Sequence, residues 1–277
     1  MTARPFLVIG SMKSGTATLE TLLRAHPDVD VVTEKETLSF ADPQAAARTA
    51  EAIARSPRHA AGEVATGYMQ QPLVDADPAL ARELLGPELR ILAVVRDPYV
   101  RALSHWRHWE QLGRNASGPI ERLLLDPDGP YVAFSSYHRQ LSPWLAVVDR
   151  DHVQVLRLED YRTDPAAWTG RVWSALGVAA PVREADVVHA NQADTRVVTA
   201  GIGRGVGQSA AYRRFVRPLV PTALRRAGAR LLGGKRGGGG LPPLPEDLRA
   251  RFYDLLAADL DALREELPEL TWARGAS

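Results

Sequence analysis

Residues 5–10 read PFLVIG, a short apolar run closed by a glycine, and SMKSGT follows directly. Such a run suits a strand buried on both faces. The next stretch, TLETLLRAH, places Leu19, Leu22, Leu23 and His26 on one helical face. His26-Pro27 ends that helix, because a residue before proline avoids the α region. A strand, a glycine-containing turn with a lysine, and a helix together hold an anion. Backbone N–H groups of the turn and the first helical turn converge on it, and the lysine adds a point charge.

Lysine is scarce in this chain. Of 34 basic residues only Lys13, Lys35 and Lys235 are lysines, in GSMKSGT, EKE and GGKRGGGG. Where arginine is used everywhere else, a surviving lysine suggests that a compact ammonium is wanted rather than a flat guanidinium fork.

Further strands are expected at 29–33 (VDVVT), 62–67 (GEVATG), 90–95 (RILAVV) and 153–158 (VQVLRL). Helices are expected at about 43–55, 78–84, 98–112, 135–148 and 165–176. Strands alternating with helices indicate an α/β fold with a central parallel sheet between helical layers. With 277 residues, 45% of them hydrophobic, the chain can bury a large core, as one domain with excursions or at most two. The absence of cysteine excludes a disulfide framework, a thiol nucleophile and a Cys-based zinc site. A net charge of +1 offers no global field for nucleic acid. The N-terminal apolar run is too short for a signal peptide, and no stretch approaches the roughly 20 apolar residues of a spanning helix. The expectation is a soluble, cytoplasmic bacterial protein.

The C-terminal third has a different composition. From Arg196 to Arg236 there are ten basic residues and no acidic one, with apolar positions from Tyr212 to Leu231 at helical spacing. A helical excursion or lid is expected over about 190–240. Its apolar face would lie on the core, or its basic face would meet an anionic acceptor or surface. Pro218 and Pro221 permit only a kinked helix there. The closing segment, residues 245–272, reads as one amphipathic helix.

The turn after the first strand departs from the nucleoside-triphosphatase consensus GxxxxGK[ST]: in Gly10-Ser11-Met12-Lys13-Ser14-Gly15-Thr16 the lysine precedes the glycine. Such an enzyme also wants an acidic residue at a strand end to hold magnesium. The strand at 90–95 is followed by Arg96 instead, which suggests a ligand with a further phosphate and no metal.

Two motifs, KSGTATL (13–19) and RDPYVRALSHW (96–106), occur in order, each after a strand. The pair resembles the sulfotransferases that use 3′-phosphoadenylyl sulfate (PAPS), on a P-loop NTPase-like three-layer fold. RAHPDVDVVTEKETLSF (24–40), SSYHRQLSPWL (135–145), LEDYRTDP (158–165) and the close at ELTW make the likeness nearer to the bacterial and heparan-sulfate-type members. The resemblance covers roughly 5–185 and 235–273, and implies one sulfotransferase domain over 1–277.

The resemblance also implies roles. The oxygen that leaves sulfur gains negative charge, and a preorganised cation beside it is usually the largest catalytic contribution; Lys13 takes that position. Ser14, Gly15, Thr16, Ala17 and Thr18 would line the 5′-phosphate, with Ala17 standing where the family usually has a second threonine. Arg96 and Ser104 would bind the 3′-phosphate, and Arg101 either joins them or is a solvated helix charge. Glu36 matches the family's general base, with Glu34 as runner-up; an acceptor hydroxyl must lose its proton to such a carboxylate. His105 is a further candidate base, although a helical histidine beside a tryptophan is more often packed or exposed. Val64 stands where related sugar-sulfating enzymes often carry a lysine, leaving Glu63 and Tyr68 as pocket residues. Lys235 and Arg236 would clamp the 3′-phosphate from a glycine-rich loop, or belong to a flexible linker. The acceptor implied is a hydroxyl of a small molecule, natural product or carbohydrate, with PAPS as donor and no metal. A magnesium- and ATP-dependent P-loop phosphotransferase is the chief rival. An inactive nucleotide-binding protein of the same fold is the third reading.

Overall fold

A computed structural model of the chain describes residues 3–34, 36–180 and 241–272. Five parallel strands form one sheet: β1 Arg4–Gly10, β2 Val29–Val31, β3 Ala60–Val64, β4 Arg90–Val95 and β5 Val153–Arg157. Their order is β2-β3-β1-β4-β5. Phe6 lies opposite both Gly62 and Arg90, so β1 is the central strand. Every residue of β1 after Arg4 is buried, as its unbroken apolar run requires.

Helices cover both faces of the sheet. On one face Phe6, Val8, Leu92 and Val94 pack against α1 (Thr16–Ala25) and α9 (Pro165–Leu176), through Leu19, Leu22, Leu23, Trp168, Val172 and Trp173. On the other, Ala61 meets Ile53 of α2 (Pro43–Arg55) and Leu85 of α3 (Pro78–Leu85). The remaining helices are α4 (Pro98–Leu112), α5 (Ile120–Leu124), α6 (Pro130–Ala133), α7 (Tyr137–Leu145), α8 (Leu158–Thr163), α10 (Leu248–Leu255) and α11 (Ala257–Glu266). The result is a three-layer α/β architecture of the P-loop type.

Four of these helices open on the same dipeptide, Asp-Pro. The carboxylates of Asp42, Asp77, Asp97 and Asp164 accept from the amides of Ala45, Leu80, Val100 and Ala167 at 2.7–2.9 Å. Aspartate satisfies an orphan amide, and proline at the first helical position gives up an N–H that has no partner there.

The second strand ends at Val31 rather than at residue 33, and three larger differences follow. The third strand is Ala60–Val64 rather than 62–67; its register is set by β1, and Ala65, whose amide still donates to Val8, is followed by a 3-10 turn at Thr66–Met69. All four turn residues are buried, so the stretch carries the apolar signature of a strand without its backbone. The helix expected at 135–148 spans only Tyr137–Leu145. The closing helix is two, because at Leu256 the chain tightens into an i→i−3 bond to Tyr253.

Among the described residues, 107–115 and 241–244 belong to a second compact unit and the others to the first. The expected excursion at about 190–240, with Lys235 and Arg236, and the residue Lys35 lie outside the described residues.

Because all five strands are parallel, the loops after them gather at one edge of the sheet. After β1 the chain runs to the edge strand β2 and returns through β3, then crosses to β4 and β5 on the other side, so the segments after β1 and β4 flank the point where strand order reverses. In open α/β sheets that crevice is where ligands bind.

Candidate active site

The turn after β1 is tightly fixed. The Ser11 amide donates to the Val94 carbonyl at 2.6 Å, and the Ser14 amide to the Ser11 carbonyl at 3.2 Å. The two serine hydroxyls lie 2.6 Å apart. Gly15 precedes α1 at φ 92°, and a Cβ there would meet Leu158 Cδ1 at 2.6 Å. Its backbone angle is what calls for glycine, since the Leu158 methyl ends a flexible side chain that can yield. Lys13 is half-buried at φ 69°. Thr16 is buried in the first turn of α1, while Ala17 and Thr18 are half-buried, the Thr18 amide donating to the Gly15 carbonyl.

Arg96 follows β4, beside this turn. Its guanidinium is pushed below its ordinary range, chiefly by burial and then by the cation of Arg162, with Glu159 opposing. A half-buried cation facing another cation gains from an anion between or beside them, which fits a phosphate. The Tyr137 hydroxyl, fully buried, donates to the Arg96 carbonyl at 2.7 Å and accepts from the Arg96 amide at 3.3 Å. Burial pushes the phenol's pKa up, and the nearby side chains of Ser11 and Ser14 oppose that. One phenol is thus bonded to the segment after β4 and lies beside the turn after β1. The start of α7, which carries Tyr137, is held in turn by Asp259 of α11, whose carboxylate accepts from the amides of His138 and Arg139.

Asp97 beside Arg96 has its carboxylate fully engaged. Oδ1 takes the Val100 amide, while Oδ2 takes Arg249 at 2.6 Å and the Tyr253 hydroxyl at 3.0 Å. Ser104 lies half-buried in the second turn of α4. Arg101 is neither a solvated charge nor an accessible ligand. It is fully buried and donates to Ser135 Oγ and the Tyr131 carbonyl, each at 2.9 Å, and burial lowers its pKa to about 10. His105 is likewise buried, stacked on Phe134 with its ring centroid 5.4 Å away. Both are parts of the core, so neither reaches an acceptor.

Glu36 lies on the loop after β2, exposed and at φ 59°. Its amide donates to the Val64 carbonyl at 3.3 Å. Its carboxylate accepts from the Thr66 hydroxyl at 2.7 Å and from the Gly67 amide at 3.3 Å. Glu34 is exposed too, and its carbonyl accepts from the Thr37 hydroxyl. Glu63 is fully buried on β3, accepting from the Ser39 amide at 3.2 Å and the Tyr68 hydroxyl at 3.0 Å. Burial raises its pKa, and burial first and then Glu63 raise that of Tyr68. These two residues brace the loop from behind rather than line an open pocket. Tyr137 and Thr66 carry no sequence mark of their roles, because their partners lie 41 and 30 positions away.

The sulfotransferase domain family matches this chain over residues 3–196. The chain belongs to the sulfotransferase family. Human heparan sulfate glucosamine 3-O-sulfotransferase 6 is 26% identical over 180 residues, covering 62% of this chain and 52% of that enzyme. Mouse heparan sulfate glucosamine 3-O-sulfotransferase 3B1 is 26% identical over 181 residues, covering 62% and 45%. The chain spans about half the length of these relatives. The fold agrees with that of a sulfotransferase from Alicyclobacillus acidocaldarius, at a TM-score of 0.61 and 19% identity over 95% of each chain. It also agrees with the sulfotransferase domain of a Synechococcus olefin synthase, at 0.52 and 13% identity over 93% and 94%.

Proposed function

We propose that this sulfotransferase uses PAPS as donor and a hydroxyl of a small molecule, natural product or carbohydrate as acceptor. One observation carries the reading. Among the described residues, the non-glycine positions with positive φ are Lys13, Glu36 and Leu38. The two residues assigned to chemistry are thus two of the three that hold a sparsely populated backbone conformation. Such strain, of order 1–3 kcal/mol each, persists where the surroundings over-determine it and gathers at functional sites.

PAPS supplies the sulfuryl group and a phosphate leaving group when bound. The Lys13 ammonium offers a cation for the charge of the leaving oxygen. Ser14, Gly15, Thr16, Ala17 and Thr18 line the 5′-phosphate, and Arg96 with Ser104 takes the 3′-phosphate. Glu36 accepts the proton of the acceptor hydroxyl. Asp97, the first acidic residue after β4, is committed to Val100, Arg249 and Tyr253, which favours sulfuryl transfer over a phosphotransferase that would hold a metal through it. Lys235 and Arg236 as a clamp, 1–277 as a single domain with an excursion, and contact of 196–236 with an anionic surface rest on sequence alone. Among the described residues no helix is long and apolar enough to cross a membrane, and a cytoplasmic location belongs to the same proposal.

The test is ligand-induced stabilisation. Adenosine 3′,5′-bisphosphate, without magnesium, should raise the melting temperature well above the effect of AMP or ATP, by linkage. Equal stabilisation by ATP with magnesium would favour the phosphotransferase.

A further inference from the structure

The segment that follows Glu36 is anchored through its backbone. Ser39 and Phe40 donate their amides to Glu63 and to the Tyr68 hydroxyl, at 3.2 and 3.0 Å. Leu38 lies so close to Gly67 that a Cβ there would meet its Cδ2 at 2.6 Å. The backbone of the loop is therefore fixed by β3 and by the turn at Thr66–Met69. The Glu36 side chain, by contrast, projects from an exposed position, and a free glutamate keeps rotamer entropy worth up to about 2 kcal/mol. A base that wanders cannot sit within hydrogen-bond reach of an acceptor proton. What restrains it is the corner at Thr66 and Gly67, one oxygen held by each residue.

We infer that Thr66 is a positioning residue for Glu36: its buried hydroxyl fixes one carboxylate oxygen at 2.7 Å, and so sets which lone pairs face an acceptor. The inference rests on the reading of Glu36 as base. Thr66 is 7% exposed, so its hydroxyl sits in the wall of the site rather than in solvent. The Gly67 amide is the weaker partner at 3.3 Å, and backbone cannot be removed by substitution. Thr66 is therefore the tunable half of the cradle, and its effect should fall on turnover while nucleotide affinity stays.

Thr66→Val removes the hydroxyl at nearly constant volume, and Thr66→Ser keeps it. The rate read is release of adenosine 3′,5′-bisphosphate from PAPS, with water and then a simple alcohol, glycerol, as acceptor. T66V should lower kcat about tenfold, within the range that misplacing a reacting group commands, and T66S should recover most of it. The KM for PAPS and the melting shift given by adenosine 3′,5′-bisphosphate should not move. The carboxyl ¹³C resonance of Glu36, assigned by its loss in Glu36→Gln, should shift in T66V and hold in T66S. A structural role alone would move stability and leave that resonance and kcat in place. If Glu36→Gln is inactive while T66V keeps both its rate and its Glu36 resonance, the role of Thr66 is overturned and the base stands. If Glu36→Gln keeps its rate, the base assignment fails and takes this inference with it.

Discussion

Tyr137 and Arg96 are joined twice: the phenol donates to the arginine carbonyl at 2.7 Å and accepts from its amide at 3.3 Å. The same hydroxyl lies beside Ser11 and Ser14, and the Ser11 amide donates to the Val94 carbonyl of β4 at 2.6 Å, so the turn after β1 and the segment after β4 keep a set spacing. A ligand with two phosphates would be measured against that spacing. Tyr137→Phe leaves the Arg96 amide and carbonyl without this partner, at a cost of about 1–3 kcal/mol in unfolding free energy. It should also weaken adenosine 3′,5′-bisphosphate more than AMP, because only the bisphosphate spans both segments. Urea unfolding and calorimetric titration measure the two effects. Equal weakening of both nucleotides would mean that Tyr137 supports the fold without setting the spacing.

Lys13 and Glu36 should separate in kinetics. Lys13→Ala is expected to lose both donor affinity and turnover, since the ammonium faces donor charge before and during transfer. Glu36→Gln should keep nucleotide affinity and lose on the order of a hundredfold in turnover, the usual share of a general base. Steady-state rates beside direct titration of nucleotide distinguish the two. Retained activity in Glu36→Gln with loss in Glu34→Gln would move the base to Glu34.

The legible parts of this protein are those written locally. β1, the turn at Lys13 and the strand before Arg96 announce themselves, because apolar runs and glycine turns act over fewer than ten residues. The Asp-Pro helix starts are equally local. What escaped is pairing at long range. Tyr137 meets Arg96 across 41 positions, and Asp97 meets Arg249 across 152. Arg101 reads as a surface charge until Ser135 and Tyr131 close over it. Burial misled at 62–67, where a buried 3-10 turn has the composition of a strand end and Ala60-Ala61 has little β preference of its own.

Glu63 should leave a mark on stability against pH. Burial raises its folded pKa above the unfolded value near ~4.3. Below that value the carboxyl is protonated in both states and its burial carries no charge penalty. As pH rises, the unfolded chain loses the proton first, so stability declines until the raised folded pKa is passed. Glu63→Gln removes this slope. Unfolding free energies of wild type and variant, measured from pH 4 upward, should therefore diverge in favour of the variant as pH increases. Parallel curves would show that Glu63 titrates alike in both states.

Asp97 joins α4 to α10 across 152 positions. Arg249, 21% exposed at its side chain, meets Asp97, 12% exposed, at 2.6 Å, and its guanidinium lies 5.2 Å from the Tyr253 ring centroid. The pair is shielded enough for its hydrogen bond to count, unlike an exposed surface ion pair. Arg249→Ala should cost about 1–3 kcal/mol, because it leaves a buried carboxylate short of a donor. Asp97→Asn should cost a comparable amount, since an amide presents a donor toward Arg249 or forfeits its helix cap. In the double variant the losses should fall short of their sum, as contacts shared by two residues do. Because Asp97 follows Arg96 directly, both single variants should also weaken adenosine 3′,5′-bisphosphate while leaving AMP nearly unaffected. Strict additivity in the cycle would mean that α10 is held by its apolar residues Leu248, Phe252 and Tyr253, with the ion pair contributing nothing of its own.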